Sequence, residues 1–289
     1  MKIHLIDGTY ELFRAHFGAP PKKSVSGMEV GATLGLMRSL LMLLQSPGVT
    51  HVAVAFDHVI ESFRNKMYPG YKSSEGVDPI ILNQFEIAEK AVSALGVVIW
   101  PMVKFEADDA IATATARFKE EKAVEQVIIC SVDKDLTQMV DGKKVICWDR
   151  RREIFLDEKR VIEKFGVKPE SIPDYLALVG DSADGYPGVK GWGAVSTSSV
   201  LAKFKHIESI PKDPKKLPLG LGRATTLVEN LQANYKDALL FKELSTLRTD
   251  VPLKETLKDL EWQGATSKLK KVCEELREER IVERVKKWR

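Results

Sequence analysis

The chain has 289 residues, 44% of them hydrophobic and 29% charged, with a formal net charge of +3. That composition excludes a disordered or fibrous chain, and the length fits two globular domains. No apolar run reaches the ~20 residues of a membrane span, and the first strand begins at Lys2, leaving no room for a leader. Cys130, Cys147 and Cys273 fit neither a zinc motif nor a disulfide framework. A cytoplasmic protein without membrane attachment is the expectation.

Residues 2–6 read as a short apolar strand that ends in Asp7-Gly8. Residues 10–17 follow as a helix carrying Arg14. Residues 29–44 are apolar nearly all round, which predicts a helix buried against a sheet. Residues 51–56 form a second strand, ending in Asp57. Residues 61–75 interleave Arg64, Lys66 and Lys72 with Phe63, Tyr68 and Tyr71. That mixture suits single-stranded nucleic acid, because bases stack on aromatics while cations hold phosphates. It also suits a solvated loop. Residues 79–95 predict one helix, closed by Gly96.

A third strand at 97–100 leads into FEADDA, where Glu106, Asp108 and Asp109 fall within four residues. A fourth strand at 127–131 leads into Asp133 and Asp135. Strands alternating with helices imply a parallel sheet with right-handed crossovers. The C-terminal strand ends then share one edge, where ligands of such sheets bind. Residues 145–148 and 154–155 read as a small β-pair around a turn at 149–152.

From residue 166 the pattern becomes helical, with helices at 173–178, 223–236, 239–247 and 267–288. The last is mixed in charge and reads as a solvated face. Asp181 and Asp184 precede Gly188, Gly191 and Gly193, which punctuate a tight hairpin between two helices. Its backbone amides can hold phosphate oxygens, or the glycines can simply allow a helical hairpin.

Taken singly, each acid has an ordinary explanation as a turn or helix cap. Five acidic points at the ends of elements suggest more: nine carboxylates gathered around divalent metal. Acids packed together raise one another's pKa unless a cation joins them. An all-carboxylate set selects hard cations, Mg²⁺ or Mn²⁺, and the lack of a His or Cys cluster argues against zinc.

The segments LIDGTYELFRAHF, AVAFDHVIESFRNKMYPGYK, FEADDAIATATA, CSVDKDLTQMV and DYLALVGDSADGYPGVKGWG, in this order, resemble the bacterial and phage 5′-nucleases. That family comprises stand-alone 5′–3′ exonucleases and flap endonucleases, and the N-terminal domain of DNA polymerase I. The resemblance implies a PIN-like α/β domain over residues 1–165, with a mostly parallel central sheet flanked by helices and an arch segment at about 61–95. A helical DNA-binding domain with a helix–three-turn–helix would follow over 166–289.

It further implies a bipartite metal site of two or more ions. Asp7, Asp57, Glu106 and Asp108 would form one side, and Asp133, Asp135, Asp181 and Asp184 the other. Asp109 would lie between them or act through water. Lys72 and Arg64 would supply positive charge at the scissile phosphate. Arg14 and Tyr71 would meet DNA, and Gly188, Val189, Lys190, Gly191, Trp192 and Gly193 would grip the duplex. In the family this hairpin also binds K⁺ through carbonyls, for which Val189 and Trp192 are candidates; the Trp192 ring is expected to pack beneath the turn. The implied activity is cleavage near 5′ ends of flaps, nicks and branched duplex, RNA primers included, by a monomer, leaving 5′-phosphates. The sequence departs from the family at Gly185, where asparagine is usual, and at Trp192. The alternatives are a junction-binding protein of weak catalysis on the same fold, a PIN-like ribonuclease and an acid-dependent phosphatase.

Overall fold

The computed structural model describes residues 1–289. They form two compact units that are not linear halves of the chain. Residues 1–62, 74–131 and 249–289 make the first, and 63–73 with 132–248 make the second.

The first unit is built on β1 (Lys2–Asp7), β2 (His51–Asp57), β3 (Val98–Met102) and β4 (Gln126–Cys130). Their order is β3-β2-β1-β4, and every pair is parallel, as the alternating pattern predicts. Ile3, Leu5 and Ile6 of β1 and Val52 to Phe56 of β2 are buried, so these strands read as continuous apolar runs. Pro101 falls on β3, an edge strand, where a missing N–H costs no ladder bond. Helices α1 (Gly8–Gly18), α2 (Gly31–Leu44) and α6 (Ala107–Phe118) follow three of the acid-bearing or central segments.

Two expected helices are broken, each by a polar side chain with a tertiary partner. Residues 79–95 form α4 (Pro79–Leu82) and α5 (Phe85–Ala94). Between them Gln84 is fully buried and its Oε1 accepts the Thr33 amide at 3.1 Å. Residues 267–288 form α12 (Lys268–Glu275) and α13 (Arg280–Arg284), parted at Arg277, whose φ is 55°. Glu278, expected on a solvated face, instead meets Lys22 at 2.6 Å and Arg38 at 3.0 Å.

This C-terminal stretch completes the first unit. The Trp262 amide donates to Thr50 O and its Nε1 to Leu95 O, both at 2.8 Å. Gly96 lies so close to Gly264 that a Cβ would stand 2.0 Å from the Gly264 oxygen.

The second unit holds an antiparallel pair, β5 (Val145–Asp149) and β6 (Ile154–Leu156), and six helices. These are α3 (Arg64–Met67), α7 (Glu158–Phe165), α8 (Ile172–Val179), α9 (Ala194–Phe204), α10 (Leu221–Ala233) and α11 (Tyr235–Ser245). Asp157 caps α7 and Gly166, at φ 71°, ends it. No helix of the chain is long and apolar enough to cross a membrane.

Candidate active site

In the first unit the acids stand where the parallel sheet predicts, at strand C-terminal ends. Asp7 closes β1 and caps α1: its Oδ1 accepts the Tyr10 amide at 2.8 Å, and its Oδ2 accepts Ser131 Oγ at 2.8 Å. Asp57 closes β2, and its Oδ1 accepts the Ala107 amide at 2.7 Å, at the start of α6. Its own amide donates to Thr9 Oγ1 at 2.8 Å, tying β2 to α1. Glu106 is the N-cap of α6 and accepts Ser62 Oγ at 2.7 Å. Asp109 is fully buried, and its Oδ2 accepts the Glu106 amide at 3.0 Å, the reciprocal half of a capping box. Asp109 therefore orients Glu106, whereas Asp108 is half-exposed.

In the second unit the structure brings Asp135, Asp181 and Asp184 together. Each offers a carboxylate oxygen within 4.8 Å of the others, and all three are buried. Asp135 opens a 3₁₀ turn (Asp135–Met139), held by a bond from its amide to Asp133 Oδ1 at 2.9 Å. Asp133 itself is exposed. Asp181 and Tyr186 exchange backbone bonds at 2.9 and 3.0 Å, a tight loop that folds Asp184 back toward Asp181. Asp181 Oδ1 accepts the Ala183 amide at 3.0 Å, and Oδ2 faces Lys134 Nζ at 2.6 Å. Lys72 Nζ lies 3.7 Å from Asp184 Oδ1.

Burial, then the charges of Asp133, Asp184 and Asp181, push the Asp135 carboxyl well above the usual range. Burial, then the charges of Asp135, Asp184 and Asp181, push the Tyr186 phenol up; its ring stacks on Phe241. Burial pulls the Lys134 ammonium down, but Asp181, Asp135 and Asp133 outweigh it and hold it above the usual lysine value.

Asp135 Oδ1 is buried with no hydrogen-bond partner. A buried orphan acceptor beside two further carboxylates is the arrangement a hard divalent cation satisfies, so these residues fit such an ion.

The basic and aromatic segment differs from expectation. Arg64 is 1% exposed: Nε donates to Leu244 O at 2.7 Å, Nη2 to Thr246 O at 3.1 Å, and the guanidinium lies over Phe63. It satisfies carbonyls at the end of α11 and is not presented to a phosphate. The Tyr71 ring is 5% exposed, too buried to stack on a base. Lys72 remains half-exposed, and its amide donates to Asp184 O at 3.0 Å. The Glu61 carboxylate accepts the Ser74 amide at 2.7 Å, fastening the ends of residues 62–73 together. Arg14 is held by Glu11 and by Ser39 Oγ at 3.1 Å.

Gly185 adopts φ 85°, and a Cβ there would stand 2.1 Å from Gly70 O. Its glycine is what lets residues 70–72 approach Asp184. In the hairpin, Trp192 is 3% exposed and its Nε1 donates to Leu227 O at 3.0 Å, so it packs beneath the turn. Val189 is buried, whereas Lys190, Gly191 and Gly193 are exposed. Asn230 Nδ2 donates to Lys190 O at 2.9 Å.

Two polar residues escaped the sequence reading. Lys134 is the middle of DKD, and nothing in that local pattern marks it as the partner of Asp181, 47 positions further on. Arg223, whose Nε and Nη2 donate to Ser196 Oγ at 2.9 and 2.6 Å, has no local signal, because it reaches the first turn of α9 from another helix.

Two family models match the chain. Residues 2–166 match the 5′-3′ exonuclease N-terminal resolvase-like domain, and 167–268 the 5′-3′ exonuclease C-terminal SAM fold. A 5′-3′ exonuclease of Aquifex aeolicus is 32% identical over 99% of this chain and 95% of its own. DNA polymerase I of Bacillus subtilis is 31% identical over 91% of this chain, which spans only 30% of that protein. The T5 5′-exonuclease, solved with zinc bound, shares the fold with a TM-score of 0.67 at 20% identity, covering 85% of this chain and 89% of that one.

Proposed function

Because the chain belongs to the 5′-3′ exonuclease family, a nuclease family of DNA replication and repair, we propose that it is a Mg²⁺-dependent, structure-specific 5′-nuclease. It would hydrolyse phosphodiester bonds near the 5′ end of flaps, nicks and branched DNA. The observation that carries this reading is the buried group Asp135, Asp181 and Asp184, with the unpartnered Asp135 Oδ1 among them.

In this proposal Asp135, Asp181 and Asp184 hold a divalent ion, with Asp133 supporting the turn. Asp7, Asp57, Glu106 and Asp108 serve another, with Asp109 fixing Glu106. A bound Mg²⁺, with Mn²⁺ as substitute, supplies Lewis-acid stabilisation of a phosphodiester and activation of water. The remaining work falls to the chain. Lys72, anchored through its amide to Asp184, neutralises charge on the reacting phosphate. The amides of the exposed Gly191 and Gly193 and the N-terminus of α9 meet backbone phosphates of the duplex. The Val189 carbonyl already accepts the Trp192 amide at 3.0 Å and keeps a second lone pair for K⁺. RNA-primed strands are within the substrate range, and the protein acts as a monomer.

The test incubates 5′-labelled flap, nicked and single-stranded DNA with Mg²⁺ or with EDTA. Short 5′-phosphate products from the flap with Mg²⁺, and none with EDTA, are expected. Binding of the flap without any Mg²⁺-dependent product would instead favour the junction-binding alternative.

A further inference from the structure

Three buried carboxylates this close carry a repulsion that something must offset when no divalent ion is bound. Two ammonium groups stand beside them, and they are not equivalent. Lys72 Nζ is 3.7 Å from Asp184 Oδ1, beyond a direct hydrogen bond. Lys134 Nζ is 2.6 Å from Asp181 Oδ2, a full charge-assisted contact. The Asp181 side chain is 4% exposed and that of Lys134 35%, so the ammonium closes over a buried carboxylate from the solvent side. With Oδ1 taken by the Ala183 amide, both Asp181 oxygens are engaged, while Asp135 Oδ1 has no partner.

We propose that Lys134 is the built-in counter-cation of the Asp135, Asp181 and Asp184 group, holding Asp181 until a divalent ion displaces it. The inference rests on the metal-binding reading above and adds to it that loading this site is a cation exchange. Asp181 Oδ2 cannot serve the lysine and an incoming ion equally, and the ammonium charge repels that ion. The backbone of Lys134 is fixed, since its carbonyl accepts the Thr137 amide at 3.0 Å. Its stem is a flexible four-carbon chain ending in a point charge, already close to solvent, so the head group can leave without moving the turn. Lys134 thus lowers affinity for the ion while stabilising the ion-free fold. A lysine that merely pre-positioned Asp181 would do the reverse, raising affinity, so the two roles differ in sign.

The experiment measures Mn²⁺ binding to the full chain by electron paramagnetic resonance of free Mn²⁺, with thermal unfolding in parallel. Asp135→Asn identifies the ion concerned by removing it from the stoichiometry. Lys134→Gln should tighten that ion roughly fivefold, the scale of one partly exposed ion pair. Lys134→Arg, which keeps the charge, should restore the original affinity to within about twofold. Ion-free Lys134→Gln should unfold at a lower temperature than the parent and gain more on adding Mn²⁺. Unchanged or weaker Mn²⁺ binding by Lys134→Gln overturns the inference and leaves the metal site standing. Equal Mn²⁺ stoichiometry in the parent and Asp135→Asn overturns the metal reading, and the inference with it.

Discussion

Lys72 and Arg64 look alike in sequence, two cations in one aromatic-rich stretch, yet the fold gives them opposite surroundings. Lys72 has a half-exposed head and an amide tied to Asp184. Arg64 is sealed in, and its two acceptor carbonyls lie 180 and 182 positions further along the chain. No local pattern could announce such partners, so composition alone suggested a phosphate. Arg64→Ala should orphan those carbonyls and lower stability by about 2–4 kcal/mol, read from denaturant midpoints. Lys72→Ala should change stability by no more than ~0.5 kcal/mol and slow single-turnover cleavage by about 10- to 100-fold. A stable Arg64→Ala protein that has lost turnover would show the arginine to act in chemistry after all. The acids were far more legible, because strand ends and helix starts are marked locally by apolar runs and glycine. What sequence did not disclose was how they differ: Asp109 and Asp135 are both buried, yet Asp109 caps a helix while Asp135 keeps a bare oxygen, and only the partners found in the fold separate the two.

Among elements, the loop 62–73 is positioned by contacts on neighbouring backbone and not by its own propensity. The glycine at 185 has a reason in the fold, the Gly70 carbonyl that lies against it. Gly185→Asn should push residues 70–72 away and break the bond from the Lys72 amide to Asp184 O. Its cleavage rate should fall in the same direction as that of Lys72→Ala, with lower thermal stability besides. Full activity at Gly185→Asn would show that this contact does not hold Lys72. Charge pattern alone does not mark the break in the C-terminal helical stretch at Arg277. Burial pushes the Glu278 carboxyl up, but Lys22 and Arg38 outweigh it and hold it below the usual range. A carboxyl depressed in the folded state stabilises above its unfolded pKa of about 4.3, and that contribution disappears as pH falls through the folded value. Glu278→Gln should therefore cost roughly 0.5–1 kcal/mol at pH 7 and have little effect near pH 3. Equal loss at both pH values would mean that packing, not charge, is what Glu278 supplies.

At the scale of the whole chain, the parallel sheet was readable because alternating strands and helices leave few topologies open. The membership of residues 249–289 in the first unit was not. Its anchors are the carbonyls of Thr50 and Leu95 and the pocket for the Trp262 ring, none of which has a sequence signature. Ending the chain after Arg248 should leave that pocket empty and those acceptors bare. Loss of cooperative unfolding, with dye binding to exposed apolar surface, is expected in the shortened protein. A cooperative transition at the parent temperature would mean that the C-terminal stretch only decorates a self-sufficient core.

The same return of the chain orders events at the ribosome. β1 leaves the exit tunnel before the other strands of its unit, but that unit is closed only by residues 249–289, which are made after all of the second unit. Residues 132–248 are available earlier, so helices such as α8 and α11 can pair while β1, β2 and β3 still lack Trp262. A nascent chain paused before residue 249 would expose the apolar flank of Leu95, and slow release or chaperone capture at that point would govern the yield of native protein.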